Sequence, residues 1–274
     1  MQFNSSQKFK NSNIYRLSEL KPAATKLILE PKTELIELLK LTLFDLTLKQ
    51  VLRIKKAQLK SHPRDPYLRE YVTVETGKNF TKYKPNKFEE YFTELIDEDS
   101  YFKLKPYLRA IFKNIPSEYL YKKQIVRDLK LKSFFKSDLV SSIFSWFKTN
   151  FKGNSLKKEL QEYLDEVDEN IVTLIENEPN KALELILFLH GNIFLLKNLK
   201  FELLEKLKSI SPVISNNNDE DFLNDWYWID FIYDPDLSFS DLFTDISEMF
   251  HTIDDYFDFD SGGDWGGDYD FDID

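Results

Sequence analysis

The sequence contains no cysteine, which excludes disulfides and thiolate metal sites and fits a reducing compartment. Glycine and proline are also scarce, with 7 Gly and 10 Pro in 274 residues, and four of the glycines lie within residues 262–267. The rest of the chain therefore has the composition of an ordered protein. With 42% hydrophobic and 15% aromatic residues, it is long enough for one large domain or two small ones.

The sequence also lacks a secretory signal and a membrane-spanning segment. Residues 1–13 have no apolar core, and the longest apolar stretch, residues 182–196, is interrupted by Glu184 and His190. That stretch is too short to cross a bilayer. We therefore expect a cytoplasmic protein whose contact with a membrane, if any, is peripheral.

Recognisable enzyme motifs are missing as well. There is no P-loop, no Gly-x-Gly-x-x-Gly after a strand and no Ser or Cys nucleophile motif. The three histidines are His62, His190 and His251. None of them forms a pair of metal ligands with a second residue at helical spacing. We predict a protein that is not an enzyme and that has no catalytic site.

One acidic segment is similar to the start of a calcium-binding loop. Asp258 and Asp260 occupy the first and third positions, but Gly262 and Tyr269 stand where the fifth and twelfth ligands belong. A solvated acidic segment is the better interpretation. We therefore predict neither a bound metal nor a cofactor.

Charge is distributed very unevenly along the chain. The net charge is −10, yet the last basic residue is Lys208, and residues 211–274 hold 19 acidic residues. The remaining 37 basic and 28 acidic residues give residues 1–210 a net charge of +9. Such asymmetry indicates an acidic interaction tail, an anionic partner for the basic body, or both.

Hydrophobic periodicity predicts a mainly α body. A wide apolar band over residues 34–50, with Thr33 as its N-cap, predicts a helix that is buried on much of its surface. Alternating and β-branched residues predict strands at 51–56 and 71–75 around a turn at 62–66. Further helices are predicted at 88–97, 106–113, 155–177, 181–196 and 201–210, with another that opens at 116–118; for 134–140 periodicity does not decide whether a strand forms.

Helix, strand, turn and strand in this order are the layout of a winged-helix unit. We therefore predict a flexible N-terminus over residues 1–20 and a winged-helix-like helical body with short β-hairpin wings over residues 21–210.

The C-terminal region is predicted to behave as two parts. Residues 211–253 are acidic and aromatic and are expected to dock on the body through Trp226, Tyr227, Trp228 and Phe231. Residues 254–274 combine glycine pairs with dense negative charge, so we predict a disordered acidic tail.

Two basic clusters interleave with apolar residues. A solvated amphipathic face is the default interpretation of either cluster alone, but the net charge of +9 favours a surface for phosphate groups on lipid or nucleic acid. The candidate anion-binding residues are Arg53, Lys55, Lys56, Lys122, Lys123 and Arg127.

Three segments in order resemble the bacterial and eukaryotic Golgi phosphoprotein family. They are LFDLTLKQVLRI (43–54), similar to the family's helix-to-wing segment, IVRDLKLKSFF (125–135), similar to its second helix and following strand, and LELILFLHGNIFLL (183–196), similar to its C-terminal core helix. The resemblance covers residues 34–210. It implies a mainly helical, winged-helix-like domain that binds phosphoinositide head groups at a membrane surface.

The same resemblance implies a lipid pocket built from a tryptophan and arginines. Lys122 and Arg127 lie near the position of the arginine-bearing helix. The first tryptophan of this chain, Trp146, comes after the first wing, and the acidic tail lies outside the family pattern.

Two functions are consistent with these features. The first is a non-enzymatic interaction or adaptor module whose basic body binds membrane phospholipid head groups or an acidic protein partner, with the acidic tail modulating binding. The alternative is a winged-helix-type nucleic-acid-binding protein whose tail mimics nucleic acid and inhibits the basic face.

Overall fold

The computed structural model describes residues 15–98, 100–136 and 147–199. It is mainly helical, as predicted, with an antiparallel sheet of order β1-β2-β3. The helices are α1 (Tyr15–Ser18), α2 (Pro22–Leu29), α3 (Leu35–Leu48), α4 (Lys87–Thr93), α5 (Leu104–Asn114), α6 (Glu118–Asp128), α7 (Phe151–Asn177) and α8 (Pro179–Leu189). The strands are β1 (Leu52–Lys60), β2 (Leu68–Thr76) and β3 (Tyr101–Lys103), and 3₁₀ turns cover Leu131–Phe134 and His190–Leu195.

Helix α3 lies at the centre because its sequence is apolar on nearly every side. Ten of its 14 residues are buried, and it packs against α2, α6, β1 and the His190–Leu195 turn. The prediction that Thr33 caps this helix is wrong. The helix begins after Glu34, and the amide of Leu35 donates to Glu118 Oε2 on α6 at 3.2 Å. The acceptor comes from another helix, which no local pattern indicates.

Strands β1 and β2 confirm the predicted hairpin and are longer than expected. They pair from Leu52 opposite Thr76 to Lys60 opposite Leu68, so each nine-residue strand is roughly 30 Å long. The inner end of the hairpin carries buried residues, and the outer end is exposed. The third strand, β3, pairs with β2 and was not predicted, since three residues are too few for an alternating pattern.

Gly77, which follows β2 as predicted, lies against the end of α3. A Cβ at Gly77 would come within 2.1 Å of the carbonyl oxygen of Gln50, so a larger residue does not fit. The amide of Asn79 donates to that same carbonyl at 2.9 Å, and Asn79 Nδ2 donates to the carbonyl of Lys49 at 3.0 Å. These contacts hold the loop after β2 beside the C-terminal end of α3.

Helix α7 presents a single buried stripe to the body. Its buried leucine, isoleucine and valine side chains recur at intervals of three or four residues. The helix begins at Phe151 rather than at Ser155, because the side chain of Asn150 accepts the amide of Gly153 at 3.0 Å. Gly153 is needed there, since a Cβ would lie 2.1 Å from the carbonyl oxygen of Phe134.

The predicted continuous helix over residues 181–196 is wrong. Helix α8 ends at Leu189, His190 takes a φ of 51°, and a 3₁₀ turn follows. Packing explains the break, because a Cβ on Gly191 would lie 2.8 Å from both Asp45 Oδ1 and Pro22 Cγ. The turn is thereby pressed against α2 and α3.

The helices predicted at 88–97, 106–113 and after 116–118 correspond to α4, α5 and α6, with Ser117 Oγ accepting the amide of Leu120 at the start of α6. Of the uncertain strand at 134–140, the described part contains one bridge, between Phe135 and Thr149. Helix α1 lies within the predicted N-terminal segment, residues 1–20, and its Leu17 is fully buried.

The predicted helix at 201–210, the segment at 211–253 and the tail at 254–274 lie outside the described residues. Within the described ranges, no helix is both long enough and apolar enough to cross a bilayer.

Candidate functional site

The first predicted cluster lies along β1 and faces acidic residues of β2. Arg53 and Lys55 share one face of the strand, and both approach Glu75, at 3.9 Å and 2.6 Å respectively. Lys56 points to the other face, where its Nζ lies 3.4 Å from Glu70 Oε1. The charges of these three residues are therefore partly neutralised within the hairpin.

The second predicted cluster is divided by burial. Lys122 is nearly inaccessible, and its Nζ donates to Glu118 Oε1 at 2.6 Å and to the carbonyl of Pro31 at 3.3 Å. Lys123 and Arg127 lie one turn apart on the exposed face of α6. Lys122 thus ties α6 to the α2–α3 loop and is not on the surface of Lys123 and Arg127. The hairpin packs on α3 and α5, whereas α6 packs on α2, α3 and α4.

The tip of the hairpin combines exposed apolar side chains with basic ones. Tyr67 and Leu68 are 70% and 60% exposed. Lys60 lies opposite Leu68 in the strand register, and Arg64 lies in the connecting loop. Asp65 orders this loop, since Oδ1 accepts the amide of Tyr67 at 3.0 Å and Oδ2 accepts the Ser61 hydroxyl. The sequence places Lys60 and Arg64 in the first basic cluster, but Tyr67 and Leu68 were not singled out, although they directly follow the predicted turn.

A second group of polar side chains is buried beside α3. Lys21, just before α2, donates to the Tyr83 hydroxyl at 2.8 Å and to Glu89 Oε1. Glu89 is almost completely buried and also accepts the amide of Asn86 at 2.8 Å, forming the capping box of α4. Burial and the charge of Lys49 lower the pKa of Lys21, and Glu89 opposes that shift.

Asp45 is the buried acid of α3 in this region. Its Oδ2 accepts Lys49 Nζ at 2.6 Å. Burial opposes ionisation, but the charges of Lys49 and Lys21 outweigh it and hold the pKa of Asp45 below its ordinary value. Its Oδ1 is buried and accepts no hydrogen bond from the part of the chain that the structure describes. This buried carboxylate oxygen therefore lacks a hydrogen-bond donor among the described residues.

His190 lines the same space and lies close enough to Asp45 for their charges to interact. Burial, together with the charge of Lys49, lowers its pKa to about 4, so the imidazole is neutral at pH 7. Its φ of 51° and ψ of −141° belong to a sparsely populated backbone region. The following turn is held in place by Asn192 Nδ2, which donates to the carbonyls of Leu17 at 2.9 Å and Leu20 at 2.6 Å.

Lys21, Asp45 and His190 line one cavity of about 490 Å³, which we call the α3 cavity. Its walls come from the α1–α2 connection, the C-terminal half of α3, the loop at 82–86 and the end of α8. Its charged and imidazole side chains include Lys21, Asp45, Lys49, Lys82, Lys84 and His190. The volume lies in the range of small-molecule sites.

Sequence analysis missed the α3 cavity because its residues are far apart in the chain. His190 was interpreted as incidental, and Asp45 was hidden in an apolar helix. An acid at that position is the one signal that could have indicated a buried polar site. Among the described residues, no group of three or more His, Cys, Asp or Glu side chains is arranged to hold a metal ion.

Comparison of the chain with protein-family models, with curated proteins and with solved structures finds no match. The resemblance to the Golgi phosphoprotein family is not tested by these comparisons and stays a prediction.

Proposed function

We propose that this protein is a non-enzymatic interaction module that binds anionic membrane surfaces through the tip of its β1–β2 hairpin. The observation that carries this proposal is the exposed pair Tyr67 and Leu68 beside Lys60 and Arg64. Aromatic and aliphatic side chains bind at the boundary between head groups and acyl chains, and basic neighbours are attracted to anionic lipid.

The shape of the hairpin supports this role. Its inner end is anchored by Ile54 and Val74 in the core, and its strands extend roughly 30 Å to the tip. Lys60 and Arg64 make no ion pair with any residue of the described ranges, so their charge is available to lipid phosphate. Each such residue near an anionic surface contributes about 1 kcal/mol.

The predicted anion-binding residues have a supporting role in this proposal. Arg53, Lys55 and Lys56 lie along β1 and add long-range attraction, and Lys123 and Arg127 are a separate exposed pair on α6. The Golgi phosphoprotein resemblance belongs to the same proposal, since it implies a winged-helix-like domain that binds phosphoinositide head groups at a membrane surface.

Vesicle sedimentation tests the hairpin directly. The full chain is compared with a Tyr67→Ser/Leu68→Ser variant on vesicles with and without phosphatidylserine. We expect the variant to bind about a hundredfold more weakly, because two apolar side chains no longer leave water. Phe151→Ser is the matched control, since Phe151 is also an exposed aromatic residue but lies on α7. Equal binding by the tip variant and the control contradicts the proposal.

Binding measurements with duplex DNA in place of vesicles distinguish the nucleic-acid alternative from membrane binding. Lipid binding needs both the apolar and the basic residues of the tip. Nucleic-acid binding by charge needs only Lys60 and Arg64. Tight DNA binding that is unaffected by Tyr67→Ser/Leu68→Ser but lost in Lys60→Glu/Arg64→Glu would support the alternative over membrane binding.

The acidic tail is proposed to compete for the basic surfaces. Its predicted docking residues, Trp226, Tyr227, Trp228 and Phe231, lie outside the described residues. Deleting residues 216–274 should strengthen vesicle binding several-fold at low salt. The deletion removes all 19 acidic residues of the segment 211–274, so they no longer compete with lipid for the basic surfaces. Unchanged binding by the truncated chain would eliminate shielding while leaving the role of the hairpin open to its own test.

A further inference from the structure

The surface at the start of α7 combines exposed lysines with an exposed phenylalanine. Its residues, which we call the α7 patch, are Lys130, Lys132, Lys136, Phe151 and Lys152. We propose that the α7 patch binds the acidic, aromatic segment 219–236 of the same chain. Docking at this surface rests on the tail part of the proposed function and does not depend on the hairpin tip.

Two segments of the chain lie side by side in the α7 patch. The amide of Lys136 donates to the carbonyl of Lys148 at 2.9 Å, and the amide of Asn150 donates to the carbonyl of Phe134 at 2.9 Å. These bonds hold the segment before residue 137 against the residues that lead into α7. The lysines of the first segment and the first turn of α7 are therefore on neighbouring backbones.

The charge of the α7 patch is not neutralised by ion pairs. Residues 129–136 and 147–155 contain five lysines and no acidic residue. The lysines that make no ion pair and no side-chain hydrogen bond within the described part of the chain are Lys130, Lys132, Lys136 and Lys152. Helix α7 adds the positive end of a 27-residue helix whose first turn holds no acid. By contrast, the basic residues of β1 face Glu70 and Glu75.

Phe151 gives the α7 patch an apolar contact. It is 89% exposed, more than any other large hydrophobic residue of the described ranges. An aromatic ring flanked by lysines is complementary to a partner that carries both rings and carboxylates. A second copy of the same patch is disfavoured, because like charges would face each other.

The segment 219–236 has the complementary composition. It holds seven acidic residues, six aromatic residues and no Lys or Arg. Its aromatic residues include the predicted docking residues Trp226, Tyr227, Trp228 and Phe231. Carboxylates of this segment pair with the lysines of the α7 patch, and its rings pack against the exposed phenylalanine.

The end of the described body brings this segment within reach. Asn198 is fixed to α7, since its amide donates to Asp168 Oδ1 at 2.8 Å and its Nδ2 donates to the Asp168 carbonyl at 3.1 Å. Asp168 follows Phe151 by 17 residues, or about 26 Å along the helix. Trp226 follows Leu199 by 27 residues, and a flexible coil of that length spans about 30 Å. The linker therefore matches the distance, so docking within one chain costs little chain entropy.

Zero-length carbodiimide cross-linking of the full chain tests the docking, because the reagent joins lysine amines to carboxylates in contact with them. Mass spectrometry identifies the joined residues. We expect carboxylates of 219–236 to be joined to lysines of the α7 patch about tenfold more often than to the exposed Lys60 and Lys105, since a docked segment stays beside the patch. An even distribution over exposed lysines, or a preference for Lys60, overturns the proposal.

A mixture of isotopically labelled and unlabelled chains shows whether the segment docks on its own chain. We expect the cross-links to join residues of one chain. Labelled-to-unlabelled cross-links at the frequency of random pairing would place the segment on a second copy and overturn docking within the chain.

Tryptophan quenching measures the docking without a cross-linker. A background with Trp146→Phe and Trp265→Phe leaves Trp226 and Trp228 as the only tryptophans. Acrylamide then reports how exposed the docking segment is. We expect the quenching constant to rise about twofold at high salt, because screening weakens the attraction between the segment and the lysines.

Variants of the α7 patch should have the same effect at low salt. In this background, Lys132→Gln/Lys136→Gln should raise the quenching constant about twofold, and Phe151→Ser should raise it by a smaller factor. Lys84→Gln/Lys87→Gln is the matched control, since it removes the same charge from exposed lysines outside the patch. Equal quenching in the two double variants overturns the assignment of the segment to the α7 patch.

Failure of the hairpin proposal is measured separately. Tyr67→Ser/Leu68→Ser should keep the cross-links between 219–236 and the α7 patch, whatever its effect on vesicle binding. If Lys132→Gln/Lys136→Gln loses vesicle binding and the tail forms no cross-links with the patch, the patch belongs to lipid and the docking is overturned. Loss of duplex DNA binding in the same variant, again without cross-links, would overturn it in favour of nucleic acid.

Discussion

The hairpin and the α3 cavity contain the same kind of ion pair in opposite surroundings. On the hairpin, Lys56 and Glu70 have side chains that are 44% and 54% exposed. Beside the cavity, Lys49 and Asp45 have side chains that are only 15% and 3% exposed. Water screens the first pair, while the second pair depends on its internal contacts. Burial, not residue type, therefore decides how far each ion pair is screened by water.

The largest expected effect comes from removing the lysine of the buried pair. Lys49→Met leaves Asp45 buried without its ion-pair partner, so we expect the free energy of unfolding to fall by about 3 kcal/mol. Urea denaturation followed by far-UV circular dichroism, which reports the helices of the described body, measures this change. Lys56→Met is the matched variant in the exposed pair and should change stability by less than about 1 kcal/mol. Similar losses of stability in the two variants would show that burial does not distinguish the ion pair of the cavity from that of the hairpin.

Acid should destabilise the cavity side through His190. Because burial lowers its pKa to about 4, the unfolded chain binds a proton near pH 6.5 while the folded chain does not. The free energy of unfolding should therefore decrease as the pH falls from about 6.5 to about 4, by up to about 3 kcal/mol. The stabilisation from ionised Asp45, whose folded pKa lies below its ordinary 3.8, is lost only at lower pH. Urea titrations at several pH values measure the slope.

Two histidine variants provide the controls for this pH dependence. His190→Asn should flatten the decrease between pH 6.5 and 4, and asparagine tolerates a positive φ. His62→Asn, in the exposed hairpin loop, should leave the decrease unchanged. A slope that survives in His190→Asn would assign the effect to other groups.

The smallest expected effect concerns neighbouring lysines on α6. Lys122→Glu should lower the free energy of unfolding by about 2 kcal/mol, since a charged hydrogen bond to Glu118 is lost in a buried position. Lys123→Glu, at the adjacent exposed position, should change stability by less than about 0.5 kcal/mol and weaken vesicle binding instead. Thermal unfolding measures the stability of both variants, and vesicle sedimentation measures their binding. A larger stability loss in Lys123→Glu than in Lys122→Glu would show that burial does not decide the roles of these lysines.

Much of the fold was predictable because its signals are local. The apolar band of α3, the alternation in β1 and β2 and the capping serine of α6 each depend on a few consecutive residues. The predictions were wrong where a residue distant in the sequence determines the local structure. Glu118 replaces Thr33 at the start of α3, and contacts with Asp45 and Pro22 accompany the end of α8 at His190.

The candidate sites were less predictable than the fold. Counting charges indicated a basic body and selected Arg53, Lys55 and Lys56 on the hairpin, but it gave equal weight to Lys122 and Lys123. The two lysines differ only in which side of α6 they occupy after packing. The apolar tip was within reach of the sequence, since a tyrosine and a leucine beside a turn at the end of a hairpin are expected to be exposed.

The sequence by itself determined the helical class, the hairpin and the separation of a basic body from an acidic C-terminal region, because periodicity and charge are properties of neighbouring residues. The tertiary structure alone decided that Lys21, Asp45, Lys84 and His190 line one cavity. These residues come from four separate segments, and folding removes some of them from water while leaving Lys84 at the rim. Removal from water by the packed core shifts the pKa of a buried charged group. Which groups are removed from water cannot be read from the composition.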